Sequence, residues 1–206
     1  MNDVASGYGL YKHGNENLYE GYWMNDQEEY YGIEKWKDGS EYRGEYKNGK
    51  KNGVGVYIWS DGSRYEGEWV NNSLEGFGIN YFLNKRIYIG GFKNNLKDGF
   101  GEFIWSDKIY IGYYADNKKH GFGIYYLKNS HKAYMGFWKD GKQYGFVKFM
   151  LKDKNKYGIW DNNLQINTFN NEEEAFIELD RQGLISYKHM FLFNLEDILS
   201  YCLSDN

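Results

Sequence analysis

Chemistry at a few unique side chains would have to come from four histidines, one cysteine and a set of glycine pairs. His13, His120, His131 and His189 lie in unrelated contexts, and none of them forms a metal-ligand spacing. Cys202 shares a helical stripe with Leu195, Ile198 and Leu199, which reads as a buried inert thiol instead of a nucleophile. The pairs Gly53/Gly55, Gly76/Gly78, Gly99/Gly101 and Gly121/Gly123 are not phosphate loops, because such a loop joins a strand to a helix and these recur along the chain. The expectation is a protein that is not an enzyme, with no catalytic residue, cofactor or metal.

One segment of the tail follows the register of a calcium-binding EF-hand loop. Glu178, Asp180 and Gln182 take the first ligand slots, Gly183 the sharp turn and Ile185 the strand slot. His189 stands where the closing bidentate Glu belongs, which removes the ligand that matters most for Ca²⁺. An ordinary helical cap is the first reading, and a degenerate, metal-free EF-hand-like helix–loop–helix the second.

What recurs is aromatic. Six times a Tyr is followed two residues later by Gly and four residues later by a ring, starting at Tyr19, Tyr42, Tyr65, Tyr88, Tyr110 and Tyr134. The intervals are 23, 23, 23, 22 and 24 residues. A fixed period of this size marks a stacked array. Each unit carries a Gly-x-Gly after the first signal, reduced to Gly145 with Val147 in the last unit and to Tyr30 with Gly32 in the first. Between the two signals lie Asn25-Asp26, Asn48-Gly49, Asn71-Asn72, Asn94-Asn95, Asp116-Asn117 and Asp140-Gly141. These residue types accept the positive φ of tight hairpin turns.

The chain therefore reads as strand, turn, strand, turn: a mainly β, elongated, twisted single-layer antiparallel sheet of about thirteen to fourteen strands. Tyr, Gly and the second ring share one face of a strand. The Gly-x-Gly glycines are expected opposite the leading Tyr and its Gly, so that rings lie over bare backbone. The array is expected over residues 1–163 and an acidic helical cap over 164–206. Within that cap Asn171 heads an acidic first turn, Gly183 ends the helix and Asn194 caps a second one.

Bulk composition narrows the partners. The chain has 206 residues, 20% aromatic, with 26 glycines and no proline, which fits a sheet of interior strands, although a biased genome would also lower the proline count. Net charge is −4; from Leu164 onward there are 8 acids and 2 bases, leaving the body at +2, too balanced for nucleic acid. A single cysteine suits a reducing cytoplasm, no apolar run approaches a membrane helix, and the first residues lack a secretory pattern. The expected location is cytoplasmic, with a peripheral place at a membrane or the cytoskeleton as an alternative.

The stretch from Tyr42 to Arg64, with Gly44, Tyr46, Gly49, Gly53, Gly55, Trp59, Asp61 and Gly62, resembles the MORN repeat family, and the likeness runs from about Gly7 to Trp160. Departures gather late, with Lys108 and Val147 for Gly and Lys156 for Tyr. The resemblance implies a long twisted single-layer sheet with an aromatic-lined groove, scaffolding at membranes or cytoskeleton, and in some members dimers through the array. MORN repeats also accompany SET methyltransferases and lipid kinases, but the residues after 163 are too few for either.

The leading expectation is a non-catalytic scaffold holding an extended or helical peptide of a protein partner on Tyr42, Tyr46, Tyr65, Trp69, Tyr88, Phe92, Tyr110, Tyr114, Tyr134 and Trp138. The plainer reading of the same rings is a core. An anionic phospholipid module is the alternative, resting on the small basic tips Lys47, Lys50, Lys51 and Lys118, Lys119, His120, which read as solvated turns first. A regulatory subunit of a signalling enzyme encoded elsewhere would bind in the same physical way. Choline-binding aromatic hairpins share the period but not the Gly-x-Gly register.

Overall fold

The computed structural model describes residues 4–14, 16–151 and 154–203. The side chains of Leu199, Cys202 and Leu203 lie outside the described residues, and with them the burial expected of the Cys202 thiol. Fifteen strands are hydrogen-bonded in chain order in one sheet, so the expected meander is the fold. The chain divides into two compact units, residues 1–99 and 100–206.

The first unit contains β1 (Gly7–Lys12), β2 (Leu18–Met24), β3 (Gln27–Lys35), β4 (Glu41–Lys47), β5 (Lys50–Ile58), β6 (Arg64–Val70), β7 (Ser73–Tyr81), β8 (Ile87–Lys93) and the start of β9 (Leu96–Ile104). Along the whole chain, the two central residues of each Asn/Asp-headed hairpin turn hold φ between +47 and +51° and then between +63 and +84°. Two left-handed residues in a row match the right-handed twist of the flanking strands, which is why these turns carry Asn, Asp and Gly. Neighbouring hairpin tips also latch together. The Asn72 N–H donates to the Lys51 carbonyl at 3.0 Å, and the Lys51 N–H donates to the Asn72 side chain at 2.8 Å. Asn95 and Leu74 repeat this exchange one period on.

The glycines divide into two roles, only one of which follows from ring-over-backbone packing. Gly44 pairs with Gly55, and Tyr42 pairs with Tyr57. Across the ladder Tyr42 and Tyr110 face another Tyr, Tyr19 a Glu and Tyr65 an Asn, none of them a glycine, and only the second Gly of Gly-x-Gly lies under the ring. A Cβ on Gly55 would meet the Tyr42 ring well inside 3.0 Å. The first glycine bends the strand. Between Gly44/Gly55 and Tyr46/Lys51 the residues Asn52, Gly53 and Val54 oppose Glu45 alone. This bulge needs φ +91° at Gly53. It also frees the Glu45 carbonyl from the ladder, and the Tyr42 hydroxyl donates to that carbonyl at 3.0 Å. The same bond joins Tyr19 to Tyr22, Tyr65 to Glu68, Tyr88 to Gly91 and Tyr110 to Tyr113.

The second unit holds β10 (Lys108–Ala115), β11 (Lys118–Leu127), β12 (Lys132–Lys139), β13 (Lys142–Leu151), β14 (Lys154–Asp161) and β15 (Leu164–Phe169). The last of these is a strand beyond residue 163, where the array was expected to stop; the Asn162-Asn163 turn folds it back on β14. Two helices follow, α1 (Glu172–Arg181) and α2 (Leu195–Leu203), joined through a 3₁₀ segment at Ile185–Leu192. The Asn171 side chain accepts from the Glu174 N–H and the Asn194 side chain from the Asp197 N–H, so both expected caps are in place. Glu178 and Asp180 lie within α1, and the Glu178 carboxylate accepts from Arg181 and Gln182. The EF-hand register thus falls on a helix end and a 3₁₀ segment, not on a loop.

The tail packs on the flat of β11 to β14. Phe122, Tyr126, Met135, Phe146, Met150 and Tyr157 of the sheet meet Ala175, Leu179, Phe191, Leu195 and Ile198. One polar group crosses this contact: Lys148, 1% exposed, donates from Nζ to the carbonyls of Phe191 at 2.7 Å and Phe193 at 2.8 Å. Desolvation holds its ammonium below the usual lysine range, partly offset by Glu172 and Asp197.

The buried phenols make the fold sensitive to alkali. Desolvation in the first place raises Tyr19, Tyr42, Tyr65, Tyr88 and Tyr110 well above the usual tyrosine value. The unfolded chain loses these protons near pH ~10 while the folded chain keeps them. Stability is therefore complete below that pH and falls above it, by about 1.4 kcal/mol per pH unit for each phenol. Tryptophan fluorescence against pH is expected to give one cooperative unfolding step above pH ~10, with phenolate absorbance of these five residues appearing in the same step.

Candidate binding groove

Nine of the ten rings expected to line a binding surface are buried, and they spend their faces on one another. Tyr42, Tyr65, Tyr88 and Tyr110 are 0% exposed; Tyr46, Trp69, Phe92, Tyr114 and Trp138 are almost as deep. Tyr19, Tyr42, Tyr65 and Tyr110 each meet the second ring of their own repeat and that of the next edge to face. Tyr42 lies 5.3 Å from both Tyr46 and Trp69, and Tyr65 lies 5.4 and 5.1 Å from Trp69 and Phe92. In the second unit Tyr110 meets Tyr114 and Trp138 in the same way. At these nine positions the rings are buried against one another, as a core would be.

Tyr134, the tenth, is different. Val147 stands opposite Gly136, where the other repeats have glycine, and it is buried at 1% exposure. Its side chain occupies the place over which a flat phenol would lie. Tyr134 is only partly buried, its hydroxyl makes no carbonyl bond of the kind above among the described residues, and its ring stacks on Phe149 at 4.6 Å. A concave space of about 650 Å³ opens on this face. Tyr125, Tyr134, Trp138, Phe149 and Trp160 form its aromatic wall, and Gln143, Asn163 and Gln165 supply amides. Trp138 Nε1 is buried without an acceptor, whereas the matching Trp69 Nε1 donates to the Gly55 carbonyl at 3.3 Å.

Two lysines, Lys119 and Lys156, line this groove, and among the described residues no acid does. Lys119 Nζ sits 4.1 Å from the Tyr125 ring centre, 4.6 Å from Trp138 and 5.0 Å from Tyr110. Three ring faces are a favourable seat for a cation. Burial first, and Lys108 second, push this ammonium down to about 8. The arrangement suits recognition of apolar and anionic groups.

The family model of the MORN repeat matches residues 19–41, 42–64, 65–79, 88–108 and 110–132, together just over half of the chain. The chain belongs to the MORN-repeat family. No curated protein matches it. Among solved structures, the SAS-4 (dCPAP) TCP domain of Drosophila melanogaster, in complex with a proline-rich motif of Ana2 (dSTIL), is similar at 13% identity and a TM-score of 0.46, covering 73% of this chain and 83% of that one. The wild-type TCP10 domain of Danio rerio CPAP is similar at 12% identity and a TM-score of 0.30, covering 74% and 84%.

The groove lies mostly beyond the last matched MORN repeat, where the repeat pattern decays. Val147 and Lys156 are the two departures that shape it, one by lifting a ring and the other by placing a cation in a Tyr slot. Of the ten residues singled out in sequence, only Tyr134 and Trp138 line it; Tyr125, Phe149 and Trp160 were not singled out. Their signal was available: they sit near the repeat whose glycine is missing.

Proposed function

We propose that this MORN-repeat protein is a non-catalytic adaptor, and that a segment of a protein partner lies in the groove of the second unit. The observation that carries the reading is Tyr134 and Phe149, two rings left partly uncovered in a sheet whose other leading tyrosines are sealed. Partly exposed aromatics in a concave site, with amides to meet a peptide backbone, are the usual makings of an interaction anchor. The MORN repeat itself is a non-catalytic module, which supports the adaptor over an enzyme.

The test is capture of partners by the full chain and by Tyr134→Ala/Phe149→Ala. Recovery is expected to fall about tenfold in the groove variant. Phe77→Ala, an exposed ring on the other unit, is expected to leave recovery unchanged. Equal recovery by the groove variant, with its melting temperature intact, would overturn the reading.

A further inference from the structure

We infer that the groove selects an acidic segment: an extended peptide whose Asp or Glu carboxylate pairs with Lys119 while apolar neighbours pack on Tyr134 and Phe149. This rests on the groove being the partner site proposed above.

Of the three lysines that stand nine residues after a leading Tyr, Lys51, Lys97 and Lys119, the first and the last differ in counter-ion. Lys51 and Lys119 both stand nine residues after a leading Tyr, and both ammonium groups rest among rings. Lys51 has an internal counter-ion, the Glu34 carboxylate at 3.7 Å, fifteen residues after the preceding leading Tyr. The position fifteen residues after Tyr88 is Phe103, whose ring stacks on Trp105 at 4.0 Å. The repeat of Lys119 therefore keeps the cation, with a ring at the sequence position of the acid. Among the described residues Lys119 has no Asp or Glu partner, and the charged group that acts on it is another cation, Lys108. A half-buried ammonium without a counter-charge costs free energy that an incoming carboxylate would recover.

The surroundings select what carries that carboxylate. Lys156 adds a second positive charge at the exposed rim, and among the described residues no acid lines the groove to repel the ligand. The rings, together with the amides of Gln143, Asn163 and Gln165, suit a peptide that alternates apolar and acidic side chains about an extended backbone. A bare anionic surface would use the lysines and leave the rings idle.

The experiment measures anisotropy of two fluorescein-labelled octapeptides with the full chain, one alternating leucine and glutamate, the other leucine and glutamine. The glutamate peptide is expected to bind about tenfold more tightly, with the advantage shrinking as salt rises. Lys119→Gln is expected to abolish the preference, Lys156→Gln to reduce it less, and Lys119→Arg, which keeps the charge and guards against a folding defect, to retain it. Equal binding of both peptides would overturn the acidic anchor and leave the groove standing. Binding of neither peptide would overturn the anchor, and the partner-capture result would then decide the groove separately. Lys119-dependent binding to phosphatidylserine vesicles, with no preference between the peptides, would overturn the inference in favour of a lipid surface.

Discussion

Gly55→Val is expected to cost about 3–5 kcal/mol of stability, as much as truncating a core aromatic. The new side chain would occupy the space of the Tyr42 ring, which has no room to move without losing its edge contacts to Tyr46 and Trp69 and its bond to the Glu45 carbonyl. Urea unfolding followed by tryptophan fluorescence measures the loss. The cost is expected to be strongly non-additive with Tyr42→Ala, because the second substitution removes the ring that the first displaces. Additive losses would mean that glycine serves the strand for some other reason. The chain already contains a mild version of this change: Val147 at the matching position, with Tyr134 lifted and stacked on Phe149.

Lys148→Met is expected to release the helical tail at a cost of about 2–4 kcal/mol, from two buried carbonyls left without donors. The methionine keeps most of the apolar stem, so little of the loss comes from a cavity. Hydrogen exchange is the direct readout: amides of α1 and α2 are expected to exchange much faster, while those of β4 to β7 keep their protection. Uniform protection across the tail would show that apolar packing on Phe146 and Met150 suffices without the ammonium.

The repeat period and the turn pairs made the meander legible before any coordinates, because both are short-range rules that act within one hairpin. The bulge was not legible. Gly53 and Gly55 look alike in sequence, and only the pairing separates a glycine that yields space to a ring from one that bends the strand. Tyr30 shows that the bend outranks the residue type, since it holds φ +62° in the position of Gly53. The candidate site was legible only in reverse. A regular Tyr-x-Gly-x-aromatic unit marks a ring that is consumed by packing, and the groove sits where Val147 breaks the unit. Lys148 drew no notice in the sequence and Lys119 only as part of a basic tip, because burial and a missing counter-ion are properties of neighbours, not of a lysine in a string.

The latches between hairpin tips have an evolutionary corollary. Asn72 reaches back one period to Lys51, as Asn95 reaches back to Leu74, so within the first unit successive repeats meet through the same exchange. Excising Tyr42 to Arg64 would bring Tyr65 against the Tyr19 unit with each partner replaced by its equivalent. The one-residue deficit between Tyr88 and Tyr110 marks where slack is allowed, in the shortened turn at Asp107, away from the tips. A lineage of such proteins can thus lengthen or shorten by whole units through unequal recombination, without relearning how to fold.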